Sequence, residues 1–230
     1  MEKCKNKKQY DVAVVGGGLT GKLMISILIK SGIFDKNKLC WINTEKNNNK
    51  DRRVSFINYK NFVKLEKYYG IKFFTDDYLK INKIEIHNID ETKPLSLEDK
   101  IGHGVIIRND TFKNNLKLSQ NDLTIFKSKV ISTNFDKFCR YLILEDGKQI
   151  KTSLVLSADG NSSPLRHLSN IKFLSCNLNH TIISGYLKTK NFDISTAKQV
   201  FLKDSFIGLL PISKNVINFV WSLDNKTLNK

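Results

Sequence analysis

Residues 10–32 read YDVAVVGGGLTGKLMISILIKSG, and this stretch decides the fold. Residues 10–15 form a short apolar run of the kind found in buried parallel strands. Residues 19–30 carry apolar side chains at helical spacing, and Gly32 provides a stop signal after them. A second apolar run at 39–42 completes a strand–helix–strand unit. The sequence therefore predicts an α/β fold whose first unit is built on a parallel sheet.

Three glycines lie where the predicted strand ends and the predicted helix begins, at the spacing GxGxxG: Gly16, Gly18 and Gly21. The first permits a tight turn, the second lets a pyrophosphate approach the backbone, and the third lets the helix pack on the strand. The N–H groups that begin the helix, at Leu19 and Thr20, favour a negative charge. These five residues are predicted to bind a dinucleotide; the alternative is a glycine-rich turn without a ligand.

The end of the second strand departs from the usual dinucleotide pattern. An acidic residue is expected there to bind the ribose hydroxyls. Asn43 occupies that position, and Glu45 follows two residues later. Both are candidate cofactor-binding residues, because either Glu45 reaches the ribose or Asn43 binds it with a neutral side chain.

Further segments narrow this prediction. They are DRRVSFI at 51–57, GVIIRN at 104–109, ADGNSSPLR at 158–166, FIGLLPI at 206–212 and VWS at 220–222. With the glycine turn, they resemble in order the motifs of the FAD-dependent group A aromatic monooxygenases, the para-hydroxybenzoate hydroxylase-like class. Within that class the chain resembles the N-terminal portion of the ubiquinone-biosynthesis hydroxylase family. The segment at 158–166 is the most specific, and the resemblance covers nearly the whole chain.

The resemblance implies both the fold and its division into domains. A Rossmann-like FAD-binding domain of the glutathione-reductase type is expected from residues 1–76 and 101–170. A mostly antiparallel β-sheet substrate domain, C-terminally truncated, is expected from residues 77–100 and 171–230. The strand-rich pattern from residue 181 onward agrees with the second domain.

The resemblance also implies side chains that hold FAD. Arg53 and Arg108 are expected at phosphate or flavin groups, since a guanidinium suits both. Val130, at the start of a predicted strand, is a further cofactor-binding candidate. No catalytic acid or base and no metal ligand is predicted, because the cofactor carries the chemistry.

Asp159 and Gly160 are the remaining cofactor-binding candidates. Asp159 follows a buried strand, so its carboxylate could accept backbone N–H bonds or reach the cofactor. Arg166 is expected to hold this loop through an ion pair with Asp159. The alternative for Asp159-Gly160 is a plain turn.

The activity that the resemblance implies is hydroxylation of an aromatic ring. NADH or NADPH would reduce FAD, and dioxygen would then give a flavin hydroperoxide that transfers oxygen to the ring. A ubiquinone precursor is the expected substrate, lying between the flavin and the sheet formed by residues 181–222. A polyprenylated phenol would favour proximity to the inner membrane or to a ubiquinone-biosynthesis complex.

The chain carries a formal net charge of +16, and only five of its 38 basic residues are Arg. Three explanations stand: compositional drift, attraction to anionic lipid, and nucleic-acid binding. We favour drift, because lysines and asparagines are scattered together, and we predict no nucleic-acid partner. Because most basic residues are Lys, the five arginines are predicted to occupy positions that need the several coplanar N–H donors of a guanidinium.

The cysteines and histidines show no metal-ligand or redox spacing. No apolar run has the length of a membrane-spanning helix, and no signal-peptide core follows the basic N-terminus. The sequence therefore predicts a cytoplasmic protein, with peripheral attachment to the inner membrane as the variant suited to a lipid-like substrate.

One family motif is missing. The hydroxylases carry a Gly-Asp segment after the Val-Trp-Ser strand, and no Gly-Asp pair occurs in this sequence. We therefore expect a fragment that retains flavin weakly. The alternatives are a flavin-free remnant or binding scaffold, and another FAD oxidoreductase of the same fold. Among the latter, the Trp-x-Trp-x-Ile motif of halogenases is absent from the sequence.

Overall fold

The computed structural model describes residues 9–44, 51–118 and 123–228. Contacts divide the chain into two compact units. The first unit comprises residues 1–50 and 113–173, and the second comprises residues 51–112 and 174–230.

The elements are numbered in chain order. The strands are β1 (Gln9–Val15), β2 (Leu39–Ile42), β3 (Val54–Asn58), β4 (Tyr78–Ile81), β5 (Lys83–Asn88), β6 (Leu95–Glu98), β7 (Gly104–Arg108), β8 (Thr124–Phe126), β9 (Val130–Phe135), β10 (Arg140–Leu144), β11 (Gln149–Ser157), β12 (His180–Lys188), β13 (Thr196–Leu202), β14 (Ser205–Ser213) and β15 (Val216–Asp224). The helices are α1 (Leu19–Ser31), α2 (Tyr59–Tyr69), α3 (Asn109–Asn115), α4 (Pro164–Leu168) and α5 (Asn225–Leu228).

The first unit is built on a sheet of order β8-β2-β1-β11-β10-β9. The strands β8, β2, β1 and β11 run parallel, whereas β10 and β9 are antiparallel additions. Both faces of β1 are covered: Val12 and Val14 pack in one apolar cluster, and Ala13 and Val15 pack in another. A parallel strand buried on both faces reads as a continuous apolar run, which is why residues 10–15 were recognisable.

Helix α1 covers one face of this sheet. It begins after Gly18 and ends at Gly32, whose φ of 66° is the left-handed value that favours glycine. Ile25 is fully buried in the same cluster as Val12 and Val14. The predicted strand–helix–strand unit is thus present, and the helix extends one residue beyond the predicted end.

The second unit contains two sheets. The larger has the order β12-β15-β14-β13-β5-β6, and the smaller has the order β3-β7-β4. Pairing is antiparallel except between β13 and β5. Ile81, Ile106 and Ala197 form a buried cluster that joins the two sheets.

Local sequence patterns agree only in part with the structure. The alternation of apolar and polar residues over 81–89 predicts one strand, but β4 ends at Ile81 and β5 begins at Lys83, because the N–H groups of Asn82 and Lys83 both donate to the carbonyl oxygen of Ser195. Residues 110–118 read as a helix, and α3 ends earlier, at Asn115. Strands β3 and β6 were not recognised as strands; β6 is exposed along its length, so its side chains show no burial pattern.

The compact units do not follow the predicted domain boundaries. Residues 51–76 and 101–112, predicted for the FAD-binding domain, lie in the second unit. Compactness does not assign a function to either segment, so the division into FAD-binding and substrate domains stays a prediction.

Candidate cofactor-binding site

Two of the turn glycines are required by the packing of the first unit. Gly16 has a φ of 125°, and a Cβ atom there would lie 2.1 Å from the carbonyl oxygen of Ala158. A Cβ atom on Gly21 would lie 2.1 Å from the carbonyl oxygen of Gly16. Because backbone atoms cause both clashes, no side-chain adjustment relieves them. The first and third positions of the motif therefore admit only glycine.

Hydrogen bonds fix the turn at the carboxyl ends of three parallel strands. The N–H of Gly16 donates to the carbonyl oxygen of Ile42 at 2.9 Å, and the indole Nε1 of Trp41 donates to the carbonyl oxygen of Gly16 at 2.8 Å. The N–H of Ala158 donates to the carbonyl oxygen of Val15 at 2.7 Å. Ligands of open α/β sheets bind at this edge.

Gly18 differs from its neighbours, because a Cβ atom there would meet no atom within 4 Å. The fold thus gives no steric reason for glycine, and the missing side chain leaves open space beside the start of α1. No side chain caps this helix end, and its first turn has no acidic residue. The first N–H groups, at Leu19, Thr20 and Gly21, have no partner within the helix. The position suits a phosphate, so the turn fits the pyrophosphate of a dinucleotide.

Asn43 lies at the expected end of β2. Its N–H donates to the carbonyl oxygen of Phe126 at 2.9 Å, which holds it at the carboxyl edge of the sheet. Val130 begins β9 and is half-buried. Together with Phe126, it packs against the apolar cluster that contains Ala13 and Val15. Glu45 lies outside the described residues. The roles of all three in cofactor binding stay predictions.

Asp159 is held by the loop around it. Its Oδ1 accepts from the Ser157 and Ser163 hydroxyls at 2.5 and 2.6 Å, and its Oδ2 accepts from the Leu165 N–H at 3.0 Å. Burial alone would raise the pKa of Asp159, but these hydrogen bonds outweigh it and the pKa lies below its usual value. Asp159 thereby fixes the start of α4.

The predicted ion pair between Asp159 and Arg166 was wrong. The Nη2 of Arg166 donates instead to the carbonyl oxygen of Asn161 at 2.7 Å, and the guanidinium lies over the Phe173 ring at 4.0 Å. The hydroxyls of Ser157 and Ser163 and the Leu165 N–H take the acceptor positions of Asp159. Sequence reasoning missed both serines, although they flank the Asp-Gly pair and offer hydroxyl donors.

Gly160 is exposed and has a φ of 94°, which requires glycine. A Cβ atom there would meet nothing within 4 Å, so open space lies beside the backbone, as at Gly18. At both glycines the missing side chain leaves room for a ligand to approach the backbone.

Arg53 and Arg108 lie together at one end of the small sheet in the second unit. Val54 pairs with Arg108 across β3 and β7, and the N–H of Asn109 donates to the carbonyl oxygen of Arg53. Arg53 forms a two-pronged ion pair with Asp51, at 2.8 and 2.7 Å. This hydrogen bonding with Arg53 is the largest cause that lowers the pKa of Asp51 to about 2.

Arg108 forms a matching ion pair with Asp110, at 3.1 and 2.7 Å. Asn109 lies between Arg108 and Asp110 in sequence, and its side chain contacts the first pair and β3: its Nδ2 donates to Asp51 at 3.1 Å, and its Oδ1 accepts from the Ser55 hydroxyl at 2.6 Å. Asp110, Asn109 and Ser55 were missed as parts of this cluster. The Arg-x-Asp spacing at 108–110, which reverses Asp-x-Arg at 51–53, is a signal that could have found Asp110.

No group of three or more metal-ligating side chains occurs among residues 9–44, 51–118 and 123–228. Within the same ranges, none of the helices has both the length and the apolar character needed to cross a bilayer.

Relatives in sequence agree with the resemblance. No protein-family profile matches the chain. The ubiquinone biosynthesis monooxygenase COQ6, mitochondrial, of Caenorhabditis elegans is 27% identical over 93% of the chain and 52% of that protein. The protein of the same name from Xenopus tropicalis is 34% identical over 80 residues, which cover 34% of the chain and 17% of that protein. The chain thus has COQ6 monooxygenases as relatives and spans about half of the length of the first.

Solved structures show the same fold. PqsL, a probable FAD-dependent monooxygenase from Pseudomonas aeruginosa, matches 96% of the chain with a TM-score of 0.79 at 13% identity, over 62% of its own length. A variant of HpxO from Klebsiella pneumoniae, complexed with FAD, matches 94% of the chain and 57% of its own with a TM-score of 0.72 at 13% identity. The fold is that of FAD-dependent monooxygenases, as the sequence predicted. The halogenase PltM shares it with a TM-score of 0.68 at 13% identity, over 96% of the chain and 52% of its own, so fold alone does not select the reaction.

Proposed function

We propose that this chain belongs to an FAD-dependent monooxygenase that hydroxylates an aromatic ring in ubiquinone biosynthesis. The observation that carries the proposal is the open space at Gly18, located where three parallel strands end and an uncapped helix begins. The COQ6 relatives give the reaction class, since the fold is shared with other FAD enzymes.

The residues of the first unit have separate roles in this proposal. Gly18, with the N–H groups of Leu19 and Thr20, binds the pyrophosphate of FAD. Asn43 and Glu45 are assigned to the adenosine ribose, and Val130 is assigned to cofactor binding. Asp159 acts by ordering the loop that presents the Gly160 backbone, because its own acceptors already have partners.

Arg53 and Arg108 of the second unit are assigned to phosphate or flavin oxygens. Each guanidinium uses two N–H groups on its carboxylate and keeps further donors available. Their side chains are 77% and 48% exposed, so these donors are accessible. Bound FAD would supply the redox chemistry with dioxygen, and NADH or NADPH is the proposed reductant.

The aromatic substrate is assigned to the large sheet of the second unit. Strand β12 exposes Ile182, Ile183 and Leu187, which offer apolar surface to a ring or a prenyl chain. A lipid-like substrate of this kind would favour peripheral attachment to a membrane.

A change at Gly18 tests the proposal without disturbing the fold. Gly18→Val places a side chain in the open space, so we expect unchanged thermal stability and at least tenfold weaker FAD binding in a flavin-fluorescence titration. Gly16→Ala is the contrasting variant, because its Cβ atom would strike Ala158 and the positive φ is unfavourable; we expect it to lower the melting temperature.

Equal FAD affinity in wild type and Gly18→Val would contradict the assignment of the turn. No FAD binding by folded wild type would favour the flavin-free scaffold. We expect binding in the titration but little retention after gel filtration, and a flavin band that survives filtration would contradict that expectation.

A further inference from the structure

The first unit contains a cavity of about 930 Å³ beside the Asp159–Gly160 loop. Strands β9, β10 and β11 form one wall, and residues 163–171 form the other. None of the glycines of the turn lines it. Its volume lies within the range of small-molecule pockets, about 300–1,000 Å³.

Two of the five arginines of the chain line this cavity, and neither forms an ion pair within the part of the chain that the structure describes. Arg53 and Arg108 each pair with an aspartate, whereas Arg140 and Arg166 have no carboxylate partner among the described residues. The guanidinium of Arg140 lies over the Phe135 ring at 4.3 Å, and that of Arg166 lies over the Phe173 ring at 4.0 Å. Stacking of this kind holds a guanidinium in place while leaving its N–H groups available.

Most of the donors of these guanidiniums are unused. A guanidinium has five N–H donors in a plane. Arg166 gives one to Asn161, and Arg140 gives none to any described residue. Asp159 is the only carboxylate that lines the cavity among residues 9–44, 51–118 and 123–228, and its oxygens already accept three hydrogen bonds. With two guanidiniums and one carboxylate, the lining is net positive.

The rest of the lining mixes apolar and polar side chains. Leu154 is 47% exposed and Ile171 is 60% exposed, so both offer apolar surface, and hydroxyl and amide side chains such as Ser153 and Asn134 lie beside them. A cavity that joins planar donors to exposed apolar side chains suits a ligand with an oxygen-rich anion and a flat ring.

We infer that this cavity binds a nucleoside diphosphate, with its phosphates at Arg140 and Arg166 and its base against Leu154 and Ile171. The site is separate from the glycine turn, although Asp159 and Gly160, which the proposed function assigns to the FAD site, also line the cavity. A phosphate contact would also explain why residue 140 is Arg in a chain where most basic residues are Lys, because a guanidinium offers several donors in one plane.

ADP binding to the whole chain tests the inference. Because ADP is also part of FAD, the Gly18→Val variant is the background in which binding at the turn is suppressed. We expect ADP to bind this variant in isothermal titration calorimetry, and Arg140→Gln to weaken that binding by about tenfold or more, as loss of charged hydrogen bonds predicts. The Arg52→Gln change, at an exposed arginine outside the cavity, is the matched control and should leave the affinity unchanged.

Three outcomes would overturn the inference: no ADP binding by the folded Gly18→Val variant, equal ADP affinity with and without Arg140→Gln, or equal affinity for ADP and inorganic pyrophosphate. The last would show that the base is not recognised. FAD titration of the same variants separates this test from the proposed function, since Arg140→Gln should leave FAD binding unchanged.

Discussion

At the scale of single residues, Asp159 shows how a charged group of a predicted binding motif can act within its own loop. The carboxylate accepts two hydroxyl donors and one backbone N–H, and the last belongs to the first turn of α4. A negative charge at a helix start is favourable in itself. The loop therefore depends on the ionised form of Asp159.

This dependence predicts a pH effect on stability. The pKa of Asp159 is lowered in the folded chain, so its contribution to stability is present above the unfolded pKa of about 4 and is lost as the pH falls through the folded value. We expect Asp159→Asn to lower the free energy of unfolding at neutral pH by roughly 1–3 kcal/mol. The difference from wild type should shrink below about pH 4, measured by urea unfolding at a series of pH values.

Asp204→Asn is the control for this comparison. Asp204 is exposed, so its replacement should leave stability unchanged. A stability loss by Asp159→Asn that stays constant down to the most acidic pH would show that ionisation of Asp159 is not involved.

Residues also show which predictions from sequence succeed. The glycine turn was predictable because its constraints are local: Gly16 must have a positive φ, and Gly21 must lie against Gly16. The Asp159–Arg166 ion pair failed because opposite charges close in sequence say nothing about the hydroxyls of Ser157 and Ser163, which lie nearer to the carboxylate.

At the scale of elements, Asn109 joins the end of β7 to the beginning of β3 and starts α3. The residue is 9% exposed, and its side chain bonds to both Ser55 and Asp51. We expect Asn109→Ala to lower the free energy of unfolding by about 1–3 kcal/mol, since it removes two hydrogen bonds made by a buried side chain. Urea unfolding measures the loss.

Asn114→Ala serves as the matched control, because Asn114 lies on the same helix and is exposed. Equal stability of the two variants would contradict the role of Asn109. The flanking ion pairs should matter less, since exposed pairs contribute about 0–1 kcal/mol.

The elements that sequence reasoning missed have non-local causes. The break at Asn82 depends on the carbonyl oxygen of Ser195, which belongs to a distant part of the chain. Strand β6 forms through its ladder to β5 while its side chains remain exposed. Apolar periodicity arises from side-chain burial, so a strand whose side chains are all exposed cannot be predicted from that periodicity.

At the scale of the whole molecule, two explanations of the net charge of +16, compositional drift and attraction to anionic lipid, predict different salt dependence of membrane binding. If compositional drift is the cause, the charge is diffuse. We then expect the chain to bind anionic phosphatidylserine vesicles at low ionic strength and to dissociate near 0.15 M salt, where the screening length is about 8 Å. Vesicle cosedimentation across a salt series measures this, with neutral phosphatidylcholine vesicles as the control.

Binding to anionic vesicles that persists at physiological salt would contradict drift and favour a specific membrane surface. Equal binding to neutral vesicles would instead indicate that the exposed apolar side chains, including those of β12, cause the attachment.

The hydrogen bond from Trp41 to the carbonyl oxygen of Gly16 has an optical consequence. The chain has two tryptophans, and Trp41 is 6% exposed in the first unit, whereas Trp221 belongs to the second. Because the Trp41 indole is hydrogen-bonded to the backbone of the turn, its fluorescence emission should change when the turn moves or binds a ligand. With Trp221 replaced by Phe, the intrinsic fluorescence of the chain would become a built-in, label-free reporter of the turn itself.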